Sequence, residues 1–468
     1  MKAFIDKINL FNCKTLPRKV FTFYFVALML GAALLMIPAA RVPTEEPMTF
    51  INAAFTAASA FSNAGLAIYN TGQYFSTFGE IVILILMQVG GLGLITLKVL
   101  FFLFLGKKIG LKDRISVTSE RGDGKNGGTV ALIKTAIICI FAIEGIAAIL
   151  YSLRYYFVYF DNPIFDRSIL KVIYHGIFAS VSAVNNGGID IFGGNSLEMF
   201  AGDYYIQILT MICLIIGGLG FPIFYDVRNF IVCKKEKTKF HLSYFSKFIL
   251  RVYFAIAIVG VAVLFAIELS SGTLLYDASI PLTQRIFYII FNSFSARNAG
   301  FATINMNEFA PGSQIILALL MWLGSAPAST GGGIRVTTFY ICILAIIAHS
   351  KNKKEVTFLG RRIPEDTVSR SLVVAFISQI LVFVASIIII TCSPNITFMQ
   401  AFFEACSAFG VTGLTLGITT SLDFVGKVTI IILMFTGQLG VSNVLLMWSE
   451  NKQSIEKTTL PEEDILIN

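Results

Sequence analysis

The apolar runs in this chain come in pairs, and between the members of each pair lies a short segment that ends in a glycine turn. Four such segments resemble one another: AFTAASAFSNAGLAIYN (Ala54 to Asn70), GIFASVSAVNNGGIDIF (Gly176 to Phe192), IFNSFSARNAGFATIN (Ile290 to Asn305) and FFEACSAFGVTGLTLG (Phe402 to Gly417). Each opens as a short helix-like run rich in Ala, Ser and Phe. Each closes in a turn whose glycine (Gly65, Gly188, Gly300 or Gly413) precedes a large apolar residue. Successive glycines are 123, 112 and 113 residues apart. A near-constant period of this kind marks internal repetition. A single Asn-Ala-Gly turn would mean little, since Gly and Ala are common wherever membrane helices pack closely.

The unit is a long apolar run, the short segment with its turn, and a second long run. The first runs are Val20–Ala40, Thr129–Leu153, Lys247–Leu269 and Val368–Cys392. The second runs are Glu80–Leu105, Tyr204–Val232, Gln314–Ala348 and Gly426–Trp448. All are long enough to cross a bilayer, which takes about 20 residues. Hydrophobic residues make up 56% of the chain and charged residues 14%, against about 45–50% and about 25% in soluble proteins. The chain is therefore an integral membrane protein with no large soluble domain. The units fall at 15–110, 125–235, 245–350 and 365–450, followed by a tail at 451–468. The expected fold is all-α, with about eight spans and four re-entrant pore helices around a pseudo-fourfold pore. The run at Val20 follows Lys14, Arg18 and Lys19 in the manner of a signal peptide. It exceeds the usual apolar region of about 7–15 residues and recurs as part of the unit, so it is read as a span.

The second runs share a central motif, GGLG at Gly90 and Gly217 and GQLG at Gly437. In the third copy this place holds GSAPASTGGGIR, Gly324 to Arg335. Only this copy is expected to break its second span.

Orientation follows from charge. The net charge of +8 sits largely in the linkers between copies: Lys107, Lys108, Lys112, Arg114, Arg121 and Lys125 in the first, Arg228, Lys234, Lys235, Lys237 and Lys239 in the second, and Lys351, Lys353, Lys354, Arg361 and Arg362 in the third. Cytoplasmic loops carry such an excess. The linkers and both termini are placed in the cytoplasm, with the glycine turns approaching from outside and no nucleic-acid partner implied. The seven cysteines form no CxxC pair and the three histidines are far apart. No disulfide frame, cofactor or metal site is expected beyond a monovalent cation.

Non-helical backbone at membrane depth persists only where protein buries it or water fills a cavity beside it. Four turns around one axis can aim carbonyl oxygens at that axis, where they replace the water shell of a monovalent cation, as the TVGYG loops of potassium channels do. The short helices would present the negative ends of their dipoles to the cation. The candidate coordinating backbone is Asn63, Ala64 and Gly65; Asn186, Gly187 and Gly188; Asn298, Ala299 and Gly300; and Val411, Thr412 and Gly413. The Asn side chains are expected to brace the loops.

These residues carry a family resemblance. FTAASA with GLA, SARNAGF, SAFGVTGLT, GKKIGLKDR and STGGGIRVTTF resemble the Trk/Ktr/HKT superfamily of potassium transporters, and most closely its KtrB-type membrane subunits, over nearly the whole chain. The resemblance implies potassium uptake across the cell membrane, with K+ as substrate and Na+ open as a stimulating ion. It implies a homodimer and a cytoplasmic nucleotide-binding regulatory ring of the KtrA/TrkA type. It also implies that the Gly324–Arg335 loop lies beneath the filter as a gate, with Ser329 and Thr330 as hydroxyls in a wet cavity, Gly331, Gly332 and Gly333 as hinge, and Arg335 as an electrostatic barrier. The alternative is a helix kink at Pro327 with Arg335 reaching to the cytoplasmic surface. In family members a Ser at the first-loop glycine goes with sodium transport; here that position is Gly65.

Several residues stay open between two roles. Arg297 is an electrostatic element or a brace on nearby carbonyls or a carboxylate. Glu144, mid-span, pairs with a basic residue or sits at a subunit interface. Gln438 stands where relatives commonly carry a basic residue in a G-R-x-G context, which puts the tightness of the closed state in question. The acidic tail from Lys457 to Asn468 is a contact for the regulatory ring or a solvated end. The competing functions are a sodium-permeable transporter of the same fold, a membrane enzyme and a carrier of organic substrates. An enzyme needs clustered His, Asp, Glu or Cys at membrane depth. A carrier commonly needs symmetric broken helices, and only one break is legible.

Overall fold

The computed structural model describes residues 16–93 and 129–447, apart from 195, 238, 241 and 354. The first basic linker, the GKKIGLKDR motif and the 451–468 tail lie outside the described residues.

Each copy follows one order of elements. The first has α1 (Leu16–Leu35), α2 (Phe50–Ser62) and α3 (Thr77–Leu92). The second has α4 (Thr129–Tyr159), α5 (Ile169–Val184), α6 (Tyr204–Leu219) and α7 (Phe221–Lys235). The third has α8 (Tyr244–Ser271), α9 (Leu282–Ser295), α10 (Pro311–Trp322) and α11 (Val336–Ser350). The fourth has α12 (Glu365–Cys392), α13 (Phe398–Gly410), α14 (Phe424–Leu439) and α15 (Val441–Leu446). The helices α1, α4, α8 and α12 are long and apolar enough to cross a membrane, yet only 28–39% of their most apolar windows is buried. Their outward side chains are apolar and exposed, among them Leu30, Ile146, Ile258 and Ile387. The shorter helices lie inside. A loop helix such as α13 is buried along most of its length, from Ala401 to Gly410 apart from Phe402.

The copies meet in sequence order and the fourth closes on the first. Tyr174 donates to Glu80 (2.8 Å) between copies one and two, and the Leu197 amide donates to Ala302 O (2.9 Å) between two and three. Asn307 donates to Leu416 O (3.3 Å) between three and four. Lys427 donates to Asn52 (2.9 Å), Arg18 donates to Met447 O (3.0 Å), and the Tyr24 ring stands edge-on to both Phe61 and Phe435, joining four to one.

The expectation of a single broken second span is corrected. Helix α3 ends at Gly93 (φ 73°), α6 gives way to α7 at Gly220 (φ 86°), and α14 gives way to α15 at Gly440 (φ 83°). These glycines close the GGLG and GQLG motifs. Their positive φ suits glycine and ends a right-handed helix. The motifs' other glycines have a packing reason. A methyl group on Gly90, Gly217 or Gly437 would collide with the carbonyl oxygen of Phe61, Val184 or Phe409 respectively. In each case that carbonyl lies in the last turn of the loop helix of the same copy. The third linker also holds a small antiparallel hairpin, Thr357–Phe358 with Arg361–Arg362, turned by Leu359 and Gly360 at positive φ. Its Phe358 ring packs edge-on to Phe248 at 4.6 Å.

Close packing at these glycines gives a direct test. Gly437→Ala forces a backbone shift costing about 1–3 kcal/mol and lowers the apparent melting temperature in detergent by about 2–4 °C per kcal/mol. Gly145→Ala, on α4 with nothing within 4 Å of the added carbon, leaves melting unchanged or raises it slightly. Equal melting of the two variants would refute the packing account.

Candidate cation site

The four turns begin where α2, α5, α9 and α13 stop, and each stop has a local cause. Asn63 (φ 61°), Asn186 (φ 58°) and Val411 (φ 56°) adopt left-handed backbone just after the helix. Asparagine accepts this conformation, whereas a β-branched residue does so at a cost. The third copy has no such residue. It has five residues from its motif serine, Ser295, to Gly300, where the others have six, and α9 ends at Ala296 with right-handed backbone. Beyond these stops Gly65, Gly188, Gly300 and Gly413 all have positive φ, at 71°, 63°, 71° and 111°.

The four glycines close a ring. A methyl group built on Gly65 would lie 2.9 Å from Gly187 O and 3.3 Å from Gly188 Cα. On Gly188 it would collide with Ala299 O and lie 3.2 Å from Gly300 Cα. On Gly300 it would collide with Thr412 O and lie 2.8 Å from Gly413 Cα. On Gly413 it would lie 2.6 Å from Ala64 O and 3.0 Å from Gly65 Cα, which returns to the start. Each glycine thus seats the carbonyl that precedes the glycine of the next copy. Asn63, Ala64, Asn186, Asn298, Ala299, Val411 and Thr412 are all buried around it.

On one side of the ring lies a cavity of about 310 Å³ lined by all four glycines. Two residues beyond each glycine it is lined by Ala67, Asp190, Ala302 and Thr415. A second cavity, of about 450 Å³, is lined by Gly90, Gly91, Ser329, Gly333, Arg335 and Gln438 among others.

The Gly324–Arg335 loop packs against three of the turns. Asn186 donates to the Thr330 hydroxyl (2.9 Å), which donates in turn to Gly217 O (3.4 Å). Gly331 abuts Asn298, with 2.8 Å from an added methyl to Asn298 Cβ, and Gly332 abuts Val411 at 2.7 Å on the same measure. Gly333 has φ 71°. Ser329 donates to Ala326 O (2.6 Å), and the Arg335 guanidinium donates to Gly331 O within the loop. Arg297 is fully buried, with its guanidinium 3.9 Å over the Tyr253 ring, one nitrogen donating to Tyr253 O (2.7 Å) and another facing Gly324 O at 3.5 Å. Its partners are carbonyls and a ring. Gln438 lines the second cavity with its amide nitrogen 3.5 Å from Gly90 O, so it faces the first copy.

The turn asparagines divide. Asn63 braces the first copy when its amide is oriented to accept from Gly91 N (3.1 Å) and donate to Met87 O (3.2 Å). Asn186 reaches the loop, while the Asn298 amide nitrogen has no hydrogen-bond partner among the described residues. Glu144 accepts from Gln88 (3.2 Å) and Asn185 (2.9 Å), both neutral. Sequence reasoning missed two sets of residues. The motif serines are one: Ser182 donates to Ile189 O (2.6 Å), Ser295 donates to Phe301 O (2.6 Å), and Ser407 accepts from Gly413 N (3.0 Å). The Ser-Ala pair present in all four copies was the available signal. The other set is the buried carboxylates Glu80, Glu268 and Glu404. Among the described residues no three His, Cys, Asp or Glu side chains group as metal ligands.

Comparison with known proteins settles the family. The TrkH model, described as cation transport protein, matches residues 16–457. The chain belongs to the TrkH family of cation transport proteins. It is 34% identical to Ktr system potassium uptake protein D of Bacillus subtilis, covering 95% of each chain, and 33% identical to protein B of the same system, covering 96% of each. It is 30% identical to the potassium/sodium uptake protein NtpJ of Enterococcus hirae, covering 95% of each. The potassium transporter TrkH of Vibrio parahaemolyticus has the same fold, with a TM-score of 0.72 at 17% identity over 94% of this chain and 86% of that one. This family membership makes the chain a multi-pass membrane transport protein and not an enzyme.

In this TrkH-family chain the Asn186–Thr330 contact is the direct side-chain link between a turn and the loop. A double-mutant cycle of Asn186→Ala and Thr330→Val, read by thermal melting, is expected to give a coupling energy of about 0.5–1.5 kcal/mol. Additive effects would show that the two side chains act separately.

Proposed function

We propose that this chain takes up potassium through a selectivity filter made of the backbone of its four turns. The carrying observation is the closed ring, in which the next copy's carbonyl crowds the place a side chain would take at each glycine. Such backbone, at the C-terminal ends of four short helices, suits a dehydrated monovalent cation, since carbonyls and helix dipoles both offer negative potential. Asn63–Gly65, Asn186–Gly188, Asn298–Gly300 and Val411–Gly413 form the filter, α2, α5, α9 and α13 are its pore helices, and the outer spans make a pseudo-fourfold array. The cavity at Asp190 and Thr415 is the extracellular mouth, and the cavity at Arg335 and Gln438 the cytoplasmic one. The linkers and both termini face the cytoplasm. The loop around Ser329, Thr330 and Gly331 to Gly333 gates the path from below, with Arg335 as an electrostatic barrier and Arg297 as a brace. The chain works as a homodimer on a cytoplasmic nucleotide-binding ring of the KtrA/TrkA type. The names of the Bacillus subtilis relatives, potassium uptake proteins, support the substrate.

A sodium-permeable transporter of the same fold is the second reading, favoured by the name of the Enterococcus relative. Gly65 bears on the choice. Its nearest obstacle lies at 2.9 Å, farther than at any other ring glycine. A small side chain is therefore best accommodated there, and it would press on Gly187 O and open the ring.

Cation flux into liposomes holding the purified protein tests the proposal. Potassium and rubidium are expected to pass and sodium to be excluded, with Gly65→Ser losing the preference by about tenfold or more, a loss of at least about 1.4 kcal/mol. Equal passage of sodium through the wild type would install the second reading. Shortening the Gly324–Arg335 loop is expected to speed flux. Unchanged flux through a folded, shortened protein would remove the gate.

A further inference from the structure

The fourth turn is held from behind by a carboxylate. Glu404 lies in the middle of α13 with no exposed surface. It accepts from the hydroxyl of Thr415 (2.7 Å) and, at closer range, from that of Thr419. The Thr415 oxygen also accepts from Gly417 N (2.9 Å) and lies 3.2 Å from the Thr419 hydroxyl. Among the described residues no basic side chain forms an ion pair with Glu404. Both of these hydrogen bonds go to the segment that leaves the ring.

That segment matters because Thr415 lies two residues beyond Gly413 and lines the outer cavity. The same strut exists with an amide in the third copy, where Asn292 donates to Thr303 (3.0 Å). Asn292 and Glu404 each lie three residues before the motif serine, and Thr303 and Thr415 each lie eight after it. The first copy has Thr56 and Ala67 at these places and the second has Ala179 and Asp190, which cannot form that link. The fourth copy is the one whose turn carries a β-branched residue in left-handed backbone, Val411, and whose glycine has the largest φ, 111°. Turn strain persists only where the surroundings over-determine it.

We infer that Glu404 is a positioning residue that holds the segment after Gly413 through the Thr415 hydroxyl, and so sets how well the ring discriminates potassium from sodium. The inference rests on the potassium-filter reading above.

The test uses the purified full chain in liposomes and reads the ratio of potassium to sodium flux. Thr415→Val removes the hydroxyl at constant shape and is expected to lower the ratio about fivefold or more, as the loss of one buried hydrogen bond would. Thr415→Ser restores the hydroxyl and is expected to keep the ratio within about twofold of wild type, a change of under about 0.5 kcal/mol. Glu404→Asp, one methylene shorter, is expected to fall with Thr415→Val. A discriminating wild type with an unchanged ratio in Thr415→Val would overturn the inference, as would loss of the ratio in Thr415→Ser. If Glu404→Asp does not fold, the two Thr415 variants decide alone. A wild type that passes both ions equally would overturn the potassium reading itself, and the inference with it.

Discussion

The structure depends on the mutual seating of backbone at four glycines. A membrane interior offers no water to a free carbonyl, so irregular backbone must be enclosed by protein or border a wet cavity. Here each turn is enclosed by the next. The space a side chain would need at Gly188 is filled by Ala299 O, at Gly300 by Thr412 O and at Gly413 by Ala64 O. No turn can be built alone, since its wall belongs to another copy more than one hundred residues away. The inter-copy contacts from Tyr174–Glu80 to Lys427–Asn52 therefore serve the ring as well as the fold.

A second layer of the same packing ties the ring to the inner helices. Gly90, Gly217 and Gly437 let α3, α6 and α14 touch a carbonyl in the last turn of their own loop helix. Those helices then end at Gly93, Gly220 and Gly440. In these three copies the contact between turn helix and inner helix is backbone against backbone, with no flexible side chain between. In the third copy the break has grown into the Gly324–Arg335 loop, which touches Asn186, Asn298 and Val411. Turn and loop form one packed body, and Asn186–Thr330 adds a hydrogen bond to it.

The period of the chain was legible because glycine turns at 65, 188, 300 and 413 repeat whole segments. The enclosing ring residues were legible for the same reason. The breaks at Gly93, Gly220 and Gly440 were visible as letters yet not as breaks, since GGLG within an apolar run reads equally as close helix packing. Only the third copy carried Pro327 and enough polar residues to announce itself. The hairpin at Thr357 was hidden because a strand of two residues leaves no alternation to see. Glu404 sat in plain view in FFEACSA. What the letters could not supply was its partner, since Thr415 comes into reach only once the chain has turned at Gly413.

One chain carrying four copies lets them diverge, and the divergence is graded around the ring. The first turn pairs Asn63 with its own inner helix, the second reaches the loop through Asn186, and the third lacks a left-handed residue because it is one residue shorter. The fourth sets Val411 in left-handed backbone and seats Gly332 against its side chain. An asparagine there would relax the backbone but place a polar amide against Gly332. Valine keeps that contact apolar, and the strain it brings is borne by a turn with struts on both sides, Ser407 at Gly413 N and Glu404 at Thr415. The turn that carries a β-branched residue in left-handed backbone is thus braced on both sides of its glycine, and it is one of the three turns that the loop touches.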